Sequence, residues 1–112
     1  LNLPRTQEEI MKQLVVYIIN VDEDVAEKTF NRSIDALALL NIIKFSPKTV
    51  SVEPHDDYRG IVARLNYTYV DDTADKNKNA SKGLQDLIQS LIKAQLWNIT
   101  TLKILIETGE IK

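Results

Sequence analysis

Apolar and polar positions along this chain change their period twice. Leu14-Val15-Val16-Tyr17-Ile18-Ile19 is an unbroken apolar run. It follows Thr6-Gln7-Glu8-Glu9, which has the form of a helix-opening capping box, with Pro4 fixing the chain just upstream. On those signals a first helix is expected over about residues 7–20. A helix that is apolar all round is buried from several sides. This one is therefore read either as the central post of the fold or as a helix that meets another chain. The run is far short of the roughly 20 apolar residues that cross a bilayer, so no membrane partner is expected.

Val21-Asp22-Glu23-Asp24 breaks that helix, with Asp22 or Asp24 as the cap of the next. A second helix is expected over about 24–42, because Phe30, Ile34, Leu37 and Leu40 share a face while Glu27, Arg32 and Asp35 lie off it. Ser46-Pro47 ends any helical continuation. From Lys48 the period is two. Val50 and Val52 alternate with polar residues, Pro54-His55-Asp56-Asp57 makes a turn, and residues 60–70 form the clearest strand. That strand sets Ile61, Ala63, Leu65, Tyr67 and Tyr69 on one face, and Val62, Arg64, Asn66, Thr68 and Val70 on the other. The helical period returns over 80–97 in Leu84, Leu87, Ile88, Leu91, Ile92 and Leu96. A last strand is expected over 100–107, with Thr108-Gly109-Glu110 as a turn. The expected fold is α+β, in the order ααββαβ, with a small, mainly antiparallel sheet and helices packed on it.

Composition narrows the reading without deciding it. The 112 residues, 44% of them hydrophobic, suit a single domain over 1–112 that folds without metal or disulfide. The chain opens on Leu1 rather than methionine, so it can be a piece of a longer one. Having no cysteine, it has no thiolate nucleophile and no cysteine metal site, and it fits a reducing compartment: the cytoplasm, or a virion assembled there. Four Asn-x-Ser/Thr triplets are read as chance in a chain rich in Asn and Thr. The net charge of −2 argues against a dedicated nucleic-acid binder. Its distribution is uneven: residues 1–75 hold 8 basic and 13 acidic side chains, net −5, whereas 76–112 hold 6 basic and 3 acidic, net +3.

Candidate chemistry is thin. His55, the single histidine, lies in Glu53-Pro54-His55-Asp56-Asp57, a donor set suited to zinc but also an ordinary turn. Asp71, Asp72 and Asp75 could hold a hard cation, yet lack the loop spacing of an EF-hand. Glu110-Ile111-Lys112 has the outline of a nuclease carboxylate–lysine pair, but that arrangement calls for more chain after the lysine and a suitably spaced aspartate before the glutamate, and the sequence stops at Lys112. Gly60, Gly83 and Gly109 stand alone and form no phosphate loop. No enzyme activity, cofactor or metal is expected.

The favoured function is structural: an assembly protein acting through protein–protein contacts, as a homo-oligomer or within a larger assembly. Opposite charge on its two parts suits head-to-tail association, which closes into rings when the rotation allows. The element order is compatible with ring-forming viral tail or neck components. The expected contact residues are Val16, Tyr17 and Ile19 on the first helix, Val62, Arg64 and Val70 on the long strand, and Trp97. The second reading is a nucleic-acid-binding or regulatory domain using Lys76, Lys78, Lys82 and Lys93 around the third helix.

Overall fold

A computed structural model describes residues 11–46, 50–71 and 79–111 of the chain. The elements are β1 (Lys12–Ile19), α1 (Glu23–Leu40), β2 (Ile43–Phe45), β3 (Ser51–Pro54), β4 (Gly60–Tyr69), α2 (Ala80–Gln95) and β5 (Lys103–Glu110). All strand pairs are antiparallel. The sheet runs β2-β4-β1-β5, and β3 also pairs with β4. Both short strands lie on the side of β4 away from β1. Phe45 faces Tyr67 and Ser51 faces Arg64, so six residues of chain advance only three along β4. Counted as one interrupted strand, β2 and β3 complete a βαββαβ chain, the split-βαβ arrangement also called ferredoxin-like.

The α+β class stands, with two helices on an antiparallel sheet. The order ααββαβ does not, because the expected first helix is the strand β1. Val15, Val16, Ile18 and Ile19 are β-branched and Tyr17 is aromatic, the residue types that suit a pleated surface. An unbroken apolar run of this length fits a central strand buried on both faces as well as a buried helix. The pairing partners decide it: β1 is flanked by β4 along its whole length on one side and by β5 on the other. The capping box at Thr6 lies outside the described residues.

Other boundaries held more closely. Asp22 caps α1, its carboxylate accepting from the Asp24 amide at 3.0 Å, and Asn41 ends the helix in the left-handed region. α2 stops two residues before the expected end. β2 takes up residues next to the expected end of the second helix, and β5 begins and ends three residues later than expected, absorbing the supposed turn. The partners, rather than the residues' own preferences, set that last shift: Thr108 and Gly109 face Leu14 and Gln13 of β1.

The core lies between the sheet and the two helices. Leu14, Val16 and Ile18 of β1 and Ala63, Leu65 and Tyr67 of β4 are fully buried there, against Phe30 and Leu37 of α1 and Ile88 and Ile92 of α2. α1 packs on β4 and β2, α2 on β5, and the helices on each other. One polar bridge ties the helices together: the Gln95 Nε2 donates to Ser33 Oγ at 2.9 Å and to the Thr29 and Leu91 carbonyls at 3.3 and 3.0 Å. Both helices pack against the same face. Among the described residues no helix packs on the other face of the sheet.

Candidate interaction surface

Strand alternation fixes which side chains line the uncovered face. Even-numbered residues of β1 and β5 and odd-numbered residues of β4 point into the core, so their neighbours point outward. The register then sets these outward residues in rows across the sheet. Leu105, Tyr17, Val62 and Glu53 form one row, from β5 through β1 and β4 to β3. Glu107, Val15, Arg64 and Ser51 form the next, and Lys103, Ile19 and Gly60 the one on the other side. An apolar band therefore crosses three strands, with charges of both signs around it.

Exposure is uneven along that band. Val62 and Ile19 are buried, Tyr17 is half-buried, and Leu105 is 59% exposed at the sheet edge. The loop between β3 and β4 explains part of the gradient. It leans its rings toward the face, with His55 6.0 Å from Tyr17 and 5.3 Å from Tyr58 between ring centroids. The loop is self-bracing. His55 Nδ1 accepts from the Asp57 and Tyr58 amides at 3.0 and 3.1 Å, and the Arg59 carbonyl accepts from the Asn20 amide at 2.7 Å. Tyr58, 60% exposed, shares a hollow with Ile19, Asn20, Lys103 and Leu105.

The charges on the two sides of the band are placed differently. On the β3 side, Arg64 and Glu53 form an exposed pair at 3.8 Å. On the β5 side, Lys103 and Glu107 are exposed, and neither has an ion-pair partner among the described residues. Beyond them β5 is the edge of the sheet. Among the described residues no strand neighbours its outer side, where backbone donors and acceptors are presented.

The residues expected to make contacts are now placed. Tyr17, Ile19, Val62 and Arg64 converge on the uncovered face, although they come from two strands rather than a helix and a strand. Val16 does not join them. It has no exposed surface and lies on the helix-covered side, so in the folded chain it packs the core. Val70 follows the end of β4, half-buried, its amide donating to the Ile42 carbonyl at 3.0 Å. Trp97, 82% exposed, stands past the end of α2 beside a groove lined with Leu96, Ile99 and Leu102. Leu105 was not among the expected contact residues, although the alternation of the last strand sets it opposite Ile104 and Ile106. The signal was present, since it is the apolar member of the outward set Lys103, Leu105, Glu107.

Of the lysines in the second reading, Lys82 and Lys93 are exposed on α2, and Lys82 lies 3.5 Å from Asp86 one turn on. Lys76 and Lys78 fall outside the described residues, as do Asp72, Asp75 and Lys112. No cluster of three or more His, Asp or Glu side chains able to hold a metal occurs among the described residues. The ring nitrogen of His55 that faces its own loop is already engaged by two amides.

No family model matches this chain, and no curated protein matches it. Among solved structures it is similar to the de novo designed protein Foldit4, at 13% identity and a TM-score of 0.55, over 91% of this chain and 99% of that one. At that identity the likeness is one of fold alone.

Proposed function

We propose that this chain is a non-enzymatic structural subunit that acts through contacts with other protein chains, copies of itself among them. The observation that supports the reading best is the apolar row Leu105–Tyr17–Val62 on a sheet face that no helix covers among the described residues. An antiparallel sheet that meets only water on one face normally alternates cleanly to polar residues there. Here the outward set includes Val15, Tyr17, Ile19, Val62 and Leu105. Apolar surface rimmed by charge is the usual composition of a contact site. The rim consists of Lys103, Glu107, Arg64 and Glu53. A ring-forming subunit, such as a viral tail or neck component, is one assembly that contacts of this kind would build.

Nucleic-acid binding through α2 is the weaker alternative. A phosphate track needs several uncompensated cations, and Lys82 is partly compensated by Asp86. The uncovered face itself carries both signs.

The test is the absolute mass in solution, by light scattering behind a sizing column, at low and high salt. A defined oligomer is expected, loosening as salt screens the charged rim. A monomer under both conditions overturns the proposal. Retarded migration of DNA or RNA at low salt would move the weight to the second reading.

A further inference from the structure

We infer that β5 is a self-pairing edge, where a second copy of this chain adds its own β5 antiparallel to form one continuous sheet. The inference rests on the assembly reading above and names its contact. It starts from the outer side of β5, which no other strand occupies among the described residues, and from the exposure of Leu105 along it.

Two antiparallel copies of one strand meet about a two-fold axis, and the residue on that axis determines every other pair. Registers that set outward side chains against inward ones turn one sheet over relative to the other. The choices centred on residues 103–107 can be enumerated from the sequence of the strand. With Lys103 on the axis, two lysines face each other. With Glu107 on it, two glutamates do. Ile106 on the axis sets Leu105 against the partner's Glu107 and leaves Lys103 against the partner's Gly109. Ile104 on the axis sets Leu105 against the partner's Lys103.

Leu105 on the axis differs from all of these. On the uncovered face it places Leu105 against the partner's Leu105 and Lys103 against the partner's Glu107, twice by symmetry. On the helix side it places Ile104 against the partner's Ile106, also twice. Apolar meets apolar and each charge meets its opposite, the pairings that stabilise neighbouring strands. Lys103 and Glu107 are also edge charges without ion-pair partners among the described residues. In this register the two copies' Leu105–Tyr17–Val62 rows join end to end across the two-fold axis. The partner's strand end then runs toward the Trp97 groove, which opens beside the start of β5.

Charge reversal tests the register. Lys103→Glu and Glu107→Lys each create two like-charge pairs and are expected to weaken dimerisation at least tenfold by light scattering. The double variant Lys103→Glu/Glu107→Lys restores both pairs and is expected to return to the wild-type mass. Because the chain has no cysteine, Leu105→Cys should form a disulfide-linked dimer on mild oxidation, and Lys103→Cys should not. These side chains are exposed, so circular dichroism should be unchanged throughout. An oligomer that the single reversals leave intact, or that the double variant fails to restore, overturns the edge pairing. If Tyr17→Ala dissociates such an oligomer, the assembly reading survives without it. A wild-type monomer overturns both.

Discussion

Val16→Lys is expected to leave the chain without a cooperative native state. Val16 has zero exposure and stands in the middle of the sheet, between Ala63 of β4 and Ile106 of β5, on the side that the helices cover. A lysine there strands its ammonium in the core, and no acidic side chain is among the residues of that core. The strand's central place leaves the side chain no short way to water. The loss should exceed about 4 kcal/mol, against a total stability of roughly 5–15 kcal/mol for a domain. Urea unfolding followed by circular dichroism should show a collapsed midpoint or no transition. Leu39→Lys is the contrast: at 88% exposure on α1, away from the sheet edge, it should cost no more than about 0.5 kcal/mol. Wild-type stability in Val16→Lys would mean that residues 14–19 are not the middle strand.

Gly60→Ala should be nearly as damaging, for a backbone reason. Gly60 opens β4 opposite Ile19, with φ at +136°, a conformation that side-chain-bearing residues rarely adopt. An added Cβ would overlap the Ile18 carbonyl oxygen and stand 3.0 Å from the Ile19 Cα. Both neighbours belong to the central strand and cannot yield without disturbing the ladder. Strain at such a position costs about 1–3 kcal/mol before any clash is counted, so about 3 kcal/mol or more is expected. The Gly60 carbonyl also accepts from the His55 amide at 3.0 Å, so the loop bearing His55 and Tyr58 should loosen with it. Thermal unfolding gives the stability loss, and tyrosine fluorescence reports the loop. Gly83→Ala, with nothing within 4 Å of its added Cβ, is the matched control.

These two sites also show where sequence reasoning succeeded and where it stopped. The face assignment of β4 was legible because alternation holds over its ten residues, from Gly60 to Tyr69. α2 was legible because Leu84, Ile88, Ile92 and Leu96 repeat at one helical face and are buried in the fold. β1 was not legible, since a strand covered on both sides loses the alternation that identifies it. The covering comes from the two helices on one face and, in part, from the loop between β3 and β4 on the other. The three-residue shift of β5 likewise originates outside the strand, because its register is set by β1. Of the candidate surface, Tyr17, Ile19, Val62 and Arg64 were among the expected contact residues, Tyr17 and Ile19 on the mistaken reading of β1 as a helix. That they share one face with Leu105 depends on the pairing of β1 with both neighbours, which no local pattern encodes.

Hydrogen exchange followed by mass spectrometry, at low and high protein concentration, tests self-association through the sheet edge most directly. Amides of Lys12–Ile19 should be protected at both concentrations, since β1 is hydrogen-bonded on both sides. Amides of Lys103–Glu110 should gain protection as concentration rises, because those facing outward meet no strand among the described residues and would pair with a second copy. Exchange in Lys103–Glu110 that is the same at both concentrations would contradict the account.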